Sequence, residues 1–266
     1  MADAGELHRI ASRDGTVLGY ARSGSGPPLV LVHGTTADHR RWAPALARLE
    51  PHFTVCALDR RGRGASGDAP AYELAREAED VAALVESLGE PACVLAHSYG
   101  AVCALEGARL TDKVRRLALY EPPIPTGVAM YPPGLPERLE ALLAGGDREG
   151  ALEAFFREVV RMPDDELAGF RRSPMWPIRV PLAPTIPREL AIDRGYRFDA
   201  AQFANFRVPT LLMLGGDSPP LFKRAIETLH AGLPGSEIAI LPGQQHIAID
   251  TAPELFAGEA LKFLLG

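Results

Sequence analysis

Hydrophobic positions along the chain follow two periods, and their order predicts the architecture. Residues 7–12 and 16–22 alternate apolar and polar around Asp14-Gly15, a dipeptide suited to a tight hairpin turn. After the Ser/Gly loop at 23–27, Pro28-Leu29-Val30-Leu31-Val32 is apolar without interruption, as is most of Thr54-Val55-Cys56-Ala57-Leu58. Such runs are strands buried on both faces of a parallel sheet. Residues 93–96 and 114–120 repeat the signal. Helical periods lie between them: residues 40–49, then a stripe of Leu74, Ala78, Val81, Ala82, Val85 and Leu88 stopped by Gly89, then an Ala-rich segment from Tyr99 to Leu110. An antiparallel pair followed by strand–helix repeats predicts an α/β fold with a mostly parallel sheet flanked by helices on both faces.

From about residue 121 to 207 the strand signal disappears. Leu139, Leu142 and Leu143 mark one short helix, halted at Gly145-Gly146. Asp147 is a suitable N-cap for a second, carrying Leu152, Phe155, Phe156, Val159 and Val160, and a third starts near Pro163. So long a stretch is not a loop in a compact domain. The sheet resumes at 209–214 and ends with residues 237–241, followed by a closing helix with Pro253 in its first turn. The expected organisation is an eight-stranded core of residues 1–122 and 207–266, with a small helical cap of residues 123–206 between strands six and seven.

Composition narrows the function. The 266-residue chain has a formal net charge of -6, and its arginines are dispersed and outnumbered by acids, which argues against nucleic acid. The N-terminal Met1-Ala2-Asp3-Ala4-Gly5-Glu6 has neither the basic nor the apolar region of a signal peptide, and no run reaches the ~18 apolar residues of a membrane span. Cys56, Cys93 and Cys103 are odd in number, scattered and in apolar contexts, so the expectation is reduced core thiols in the cytoplasm.

The chemistry gathers at predicted strand ends, where open parallel sheets bind ligands. Ala96-His97-Ser98-Tyr99-Gly100 places a serine among small residues on a sharp strand-to-helix turn, close to the pattern G-x-S-x-G. His33-Gly34-Thr35, Asp217 and His246 follow other strands. A serine hydroxyl needs an imidazole to accept its proton, and the imidazole needs a carboxylate to fix its tautomer. Gly62-Arg63-Gly64-Ala65-Ser66-Gly67 matches a dinucleotide-binding pattern, but Asp68-Ala69-Pro70 intervenes before any helix, so these glycines are expected to shape a turn, with Asp59 and Arg61 pairing locally. No cofactor is expected, and no spacing among the histidines suggests a metal.

Taken together, the chain resembles the α/β-hydrolase superfamily over nearly its full length. The matching pieces are His33-Gly34, Asp59-x-Arg61-Gly62-x-Gly64-x-Ser66, the turn around Ser98, Gly215-x-Asp217 and His246, in that order. The resemblance implies that Ser98 is the nucleophile, His246 the general base and acid, and Asp217 its carboxylate. Glu121, which also ends a strand, is the rival acid. The resemblance further implies an oxyanion hole from the backbone N–H groups of Thr35 and Tyr99. His33 is expected to brace that loop, and the His97 side chain to point away from the nucleophile. Thr36, Trp176 and Ile247 are the candidate substrate-binding side chains, although the aromatic residues of the cap equally suit its own core. The function so implied is hydrolysis of an ester-like acyl bond in a small, fairly apolar molecule through an acyl-enzyme, without membrane or nucleic-acid partners. A thioesterase, lactonase, carbon–carbon bond hydrolase or cofactor-free haloperoxidase would use the same triad; a lyase or small-molecule receptor is the reading of another class.

Overall fold

Strand β1 (Glu6–Ala11) and strand β2 (Val17–Gly24) form the expected hairpin, with Glu6 opposite Arg22 and Ala11 opposite Val17. The computed structural model describes residues 5–266, apart from the side chain of Asp193. Residues 1–4, part of the stretch read as lacking a signal sequence, lie outside the described residues. The other strands are β3 (Pro28–Val32), β4 (Thr54–Leu58), β5 (Ala92–His97), β6 (Val114–Tyr120), β7 (Thr210–Gly215) and β8 (Glu237–Leu241). They form one sheet of order β1-β2-β4-β3-β5-β6-β7-β8. β2 is antiparallel to both its neighbours, and all pairings from β4 onward are parallel.

The unbroken apolar runs follow from this layering. Along β3, Val30 and Val32 join one hydrophobic layer, while Leu29 and Leu31 join the other. In β5, Val94 and Ala96 are likewise divided from Cys93 and Leu95. A strand covered on both faces has no polar side to show in its sequence. Helix α1 (Ala43–Leu49) and the closing helix Pro253–Leu265 contribute to one layer. Helix α2 (Leu74–Ser87), helix α3 (Tyr99–Gly107) and helix Pro220–Gly232 contribute to the other. Cys56, Cys93 and Cys103 are free and buried. Among the described residues, no helix is long and apolar enough to cross a membrane.

Between β6 and β7 the chain is helical. Helix α4 (Leu135–Ala144), helix α5 (Arg148–Ala154) and helix α6 (Asp164–Arg171) are followed by shorter turns, including Trp176–Arg179. The Asp147 carboxylate caps α5 by accepting the Gly150 N–H at 2.8 Å. This insertion has its own hydrophobic centre, built around Leu139, Leu152, Phe156, Phe170, Trp176 and Ile186. Its flanks behave differently: Ile124, Met130, Ile192, Phe203 and Phe206 pack into the layer on the sheet. The continuation of α5, Phe155–Val159, is a π turn in which the Val160 N–H donates to the Phe155 carbonyl at 3.2 Å. Such a turn carries one extra residue and frequently marks a functional site.

A buried ion network seats the insertion on the core. Arg60 donates to Glu77 through two nitrogens, both at 2.7 Å, and to Glu189 of the insertion at 2.7 Å; Arg63 also donates to Glu189. The ion network balances two arginines against two glutamates. Buried pairs of this kind contribute little net stability, but removing one partner is costly. The glycines of the dinucleotide-like pattern belong to this region and shape a turn. A Cβ on Gly64 would lie 2.2 Å from the Asp59 carboxyl group, so the chain wraps directly over that carboxylate. Asp59 is bonded to the backbone and ring of His39 and to the Ala65 N–H, while Arg61 reaches Asp80 and Asp14.

Candidate active site

Ser98 occupies the step from β5 into α3 with φ 56° and ψ -130°, a conformation that non-glycine residues avoid. Strain of this kind costs about 1–3 kcal/mol and persists only where the surroundings over-determine it. Here the Ser98 N–H donates to the Tyr120 carbonyl at 2.8 Å, and the Ser98 carbonyl accepts from the Ala101 N–H at 2.8 Å. Gly100 lets α3 rest on the end of β3: a Cβ there would lie 2.2 Å from the His33 carbonyl oxygen and 2.7 Å from that of Val32. The alanine at the other small position, Ala96, is fully buried without needing the smaller residue.

The hydroxyl so presented meets His246. Ser98 Oγ lies 2.9 Å from His246 Nε2, and His246 Nδ1 lies 2.7 Å from Glu121 Oε2. Glu121 is fully buried; its other oxygen accepts the Gly215 N–H at 2.8 Å and the Ser218 hydroxyl. An ionised carboxylate accepts only. Nδ1 therefore carries the proton of the neutral ring, and Nε2 is left to accept from the serine.

The acid expected from sequence is thus corrected. Asp217 is exposed and its backbone N–H bonds to the Gln244 carbonyl at 3.0 Å; the carboxylate on His246 is that of Glu121. The turn after β7 explains the difference. A Cβ on Gly215 would lie 2.5 Å from the Gln244 carbonyl and 2.6 Å from Ser218 Oγ, so the chain turns sharply there. That turn carries Ser218 inward to Glu121 and leaves Asp217 outside. β6 also lies between β5 and β7, so a residue at its end stands beside the turn at Ser98.

Two aromatic residues hold the loop that carries His246. His97 Nε2 donates to the His246 carbonyl at 2.9 Å, and its ring lies 4.7 Å from that of His246. Burial, followed by the neighbouring His246, pulls the His97 pKa well below the ordinary value, so its ring is neutral. Tyr120 donates to the Gln245 carbonyl and accepts the Ala248 N–H at 3.2 Å. Phe222 stacks on His246, with ring centroids 4.2 Å apart. Sequence reasoning missed Tyr120 and Phe222; the position of Tyr120 immediately before Glu121 was the available signal.

The Tyr99 N–H starts α3 and has no acceptor within its own helix. Thr35 lies in the facing loop, which passes so close that a Cβ on Gly34 would sit 2.8 Å from Ser98 Cβ. His33 braces this loop: Nδ1 donates to the Gly34 carbonyl at 2.8 Å, and Nε2 accepts the Arg60 N–H at 3.1 Å. Burial, and then the charge of Arg60, keeps the His33 ring neutral. From the insertion, Arg179 donates to the Thr35 and Thr36 carbonyls at 3.3 and 3.1 Å.

Two narrow cavities flank Ser98, of about 20 and 30 Å³. Ile247 lines the first, alongside Arg41 and Arg179; Met130, Glu189 and Phe222 line the second. Two of the expected substrate-binding residues are placed elsewhere. Thr36 has φ 52° and turns its hydroxyl back to the Thr35 carbonyl, so it shapes the loop. Trp176 belongs to the insertion's own core, packed on Phe156 and Phe170, and its indole N–H is satisfied by Glu149 at 2.9 Å. Among the described residues, one trio has metal-ligand spacing: Asp38, His39 and Asp59. Arg40 occupies Asp38, and His39 and Ala65 occupy Asp59, so protein donors already satisfy both carboxylates.

The sheet order, the turn at Ser98 and the helical insertion define an α/β hydrolase, and comparison with known proteins agrees. The chain belongs to the alpha/beta hydrolase family, whose model matches residues 29–260, and it is a hydrolytic enzyme. It is similar to an alpha/beta hydrolase of solved structure from Sphaerobacter thermophilus: 39% identity, TM-score 0.85, covering 96% of this chain and 99% of that one. It is 27% identical to the 2-(acetamidomethylene)succinate hydrolase of Mesorhizobium japonicum, over 96% of this chain and 95% of the relative. It is 28% identical to a pimeloyl-[acyl-carrier protein] methyl ester esterase of Neisseria meningitidis, over 89% of this chain and 93% of the relative.

Proposed function

We propose that this hydrolase cleaves an ester-like acyl bond of a small molecule through an acyl-enzyme on Ser98. The observation that carries the reading is the continuous contact from Ser98 Oγ to His246 at 2.9 Å and on to Glu121 at 2.7 Å. In this mechanism Ser98 Oγ attacks the carbonyl carbon while His246 Nε2 takes its proton. Glu121 stabilises the imidazolium and holds the ring in register. The N–H groups of Tyr99 and Thr35 form the oxyanion hole, each worth about 10²-fold or more, and the positive end of α3 adds to the field. His246 then protonates the leaving group, and water repeats the sequence to release the acid.

The insertion acts as a cap, and Phe155, Val159 and Phe222 give the acyl group an apolar wall. The relative named as a methyl ester esterase supports an ester as substrate. The three buried free thiols support a cytoplasmic setting. Ser98→Ala is expected to abolish turnover of short p-nitrophenyl esters with the melting temperature preserved, and a fluorophosphonate probe to label the native protein at Ser98 alone. Retained turnover in the alanine variant, or no labelling of the native protein, overturns the mechanism.

A further inference from the structure

Positive charge beside Ser98 is only partly neutralised by the described residues. Arg41, which follows the Gly34-Thr35 loop, and Arg179 of the cap line the same cavity as Ser98, and both are buried, at 2% and 5% exposure. Arg41 donates from one nitrogen to Asp250 at 2.7 Å, but its Nε and second terminal nitrogen have no acceptor among the described residues. Arg179 spends one nitrogen on the Thr35 and Thr36 carbonyls, and its buried Nε also lacks an acceptor. The rings of Phe156 and Phe170, 5.6 and 5.3 Å from its guanidinium, are its other neighbours.

The contrast with the Arg60, Arg63, Glu77 and Glu189 network is informative, because there the charges cancel. Around Arg41 and Arg179, Asp250 is the one carboxylate in contact among the described residues; Asp38, whose charge also acts on Arg179, is bound by Arg40. Burial, followed by repulsion from Arg41, draws the Arg179 pKa down from the ordinary arginine range. Buried cations are expected to be paired, and one held unpaired beside a nucleophile points to an anionic ligand. Guanidinium matches carboxylate geometry through paired N–H donors. The cavity, about 20 Å³, has room for about one water-sized group, such as one carboxylate oxygen, and for no long chain. Because Ser98 faces the same space, the anion and the scissile carbonyl belong to one small molecule.

We propose that Arg179, backed by Arg41, recognises a carboxylate on the substrate, so that the preferred substrate is a small anionic acyl compound such as the monoester or monoamide of a short dicarboxylic acid. This rests on Ser98 acting as the nucleophile. It also revises the expectation of a fairly apolar substrate, since two arginines share the cavity beside the serine with Phe155 and Phe156.

The test compares mono-p-nitrophenyl glutarate with its neutral counterpart, p-nitrophenyl butyrate. The native enzyme is expected to favour the anionic ester by about 10- to 100-fold in kcat/KM, the worth of one charge-assisted contact. In Arg179→Gln the ratio of the two is expected to fall toward one, whatever loss is common to both esters, and Arg179→Lys is expected to keep part of it. Independently, glutarate is expected to bind the Ser98→Ala protein in calorimetry and to lose affinity when Arg179→Gln is added. Equal use of the two esters by the native enzyme, together with no glutarate binding, overturns the proposal while leaving the Ser98 mechanism intact. Turnover of neither ester refutes that mechanism, and glutarate binding alone then decides the anion site. Thermal melts identify a misfolded Arg179→Gln protein, in which case the lysine variant and the native ester ratio decide between the two outcomes.

Discussion

Replacing Glu121 by glutamine tests the catalytic reading at its most specific point. The substitution keeps size and shape but gives one end of the side chain an NH2 group. Orientation is then decided by Gly215, whose backbone N–H points at Oε1 from 2.8 Å and cannot rotate away. Leaving that buried donor without an acceptor costs about 1–3 kcal/mol, so the amide oxygen must stay there. The NH2 therefore faces His246 Nδ1, 2.7 Å away in the native protein, and donates to it. His246 must then move its proton to Nε2, which becomes a donor toward Ser98 and can no longer accept. The analogous carboxylate-to-amide change in a Ser-His-Asp protease lowers kcat by about 10⁴, or ~5 kcal/mol of barrier. A fall of about 10³- to 10⁴-fold in kcat on p-nitrophenyl acetate is expected here, with KM little changed and the melting temperature within a few degrees. Asp217→Asn, at an exposed position, is expected to stay within about threefold, as surface substitutions away from such features usually do. If Glu121→Gln retains more than about a tenth of native kcat, or if Asp217→Asn suffers the larger loss, the tautomer argument is wrong.

Two further outcomes concern the scaffold. Gly100→Ala sets a methyl group 2.2 Å from a fixed backbone oxygen; a loss of about 1–3 kcal/mol or more is expected in urea unfolding, together with reduced labelling of Ser98 as its turn shifts. Burial alone would raise the Glu77 pKa above its usual 4.5, but Arg60 and Arg63 outweigh it and hold the group down to about 2. Its stabilisation is therefore complete above the unfolded value and drains as pH falls from there toward 2, so Glu77→Gln should cost about 3–5 kcal/mol at pH 7 and distinctly less near pH 3. Urea midpoints for both proteins at the two pH values check this, and equal differences would refute it.

The sheet could be read from sequence because strands covered on both faces are continuously apolar, as β3 and β5 are. The sharp turn at Ser98 was equally legible, since Gly100 and Ala96 state its size requirement. The acid was not. Pattern locates both Glu121 and Asp217 at strand ends, but which carboxylate turns inward depends on a turn at Gly215 that closes on residue 244. Trp176 shows a related limit: an aromatic residue of the helical insertion has the same composition signal whether it faces a ligand or its own core. Arg41 and Arg179 escaped notice for another reason. Their meaning lies in N–H groups left without acceptors among the described residues, seen only when residues 138 positions apart share one cavity.

The π turn at 155–159 has a bearing on how this enzyme can diversify. It bulges the backbone where Phe155, Phe156, Val159 and Val160 are all buried, with Phe155 and Val160 lining both cavities beside Ser98. Loss of one codon in that stretch would restore the regular winding and remove the bulge beside the serine, while the helix before it kept its faces. The roof over the serine could thus be recut in a single genetic event, with the machinery on the sheet left as it was.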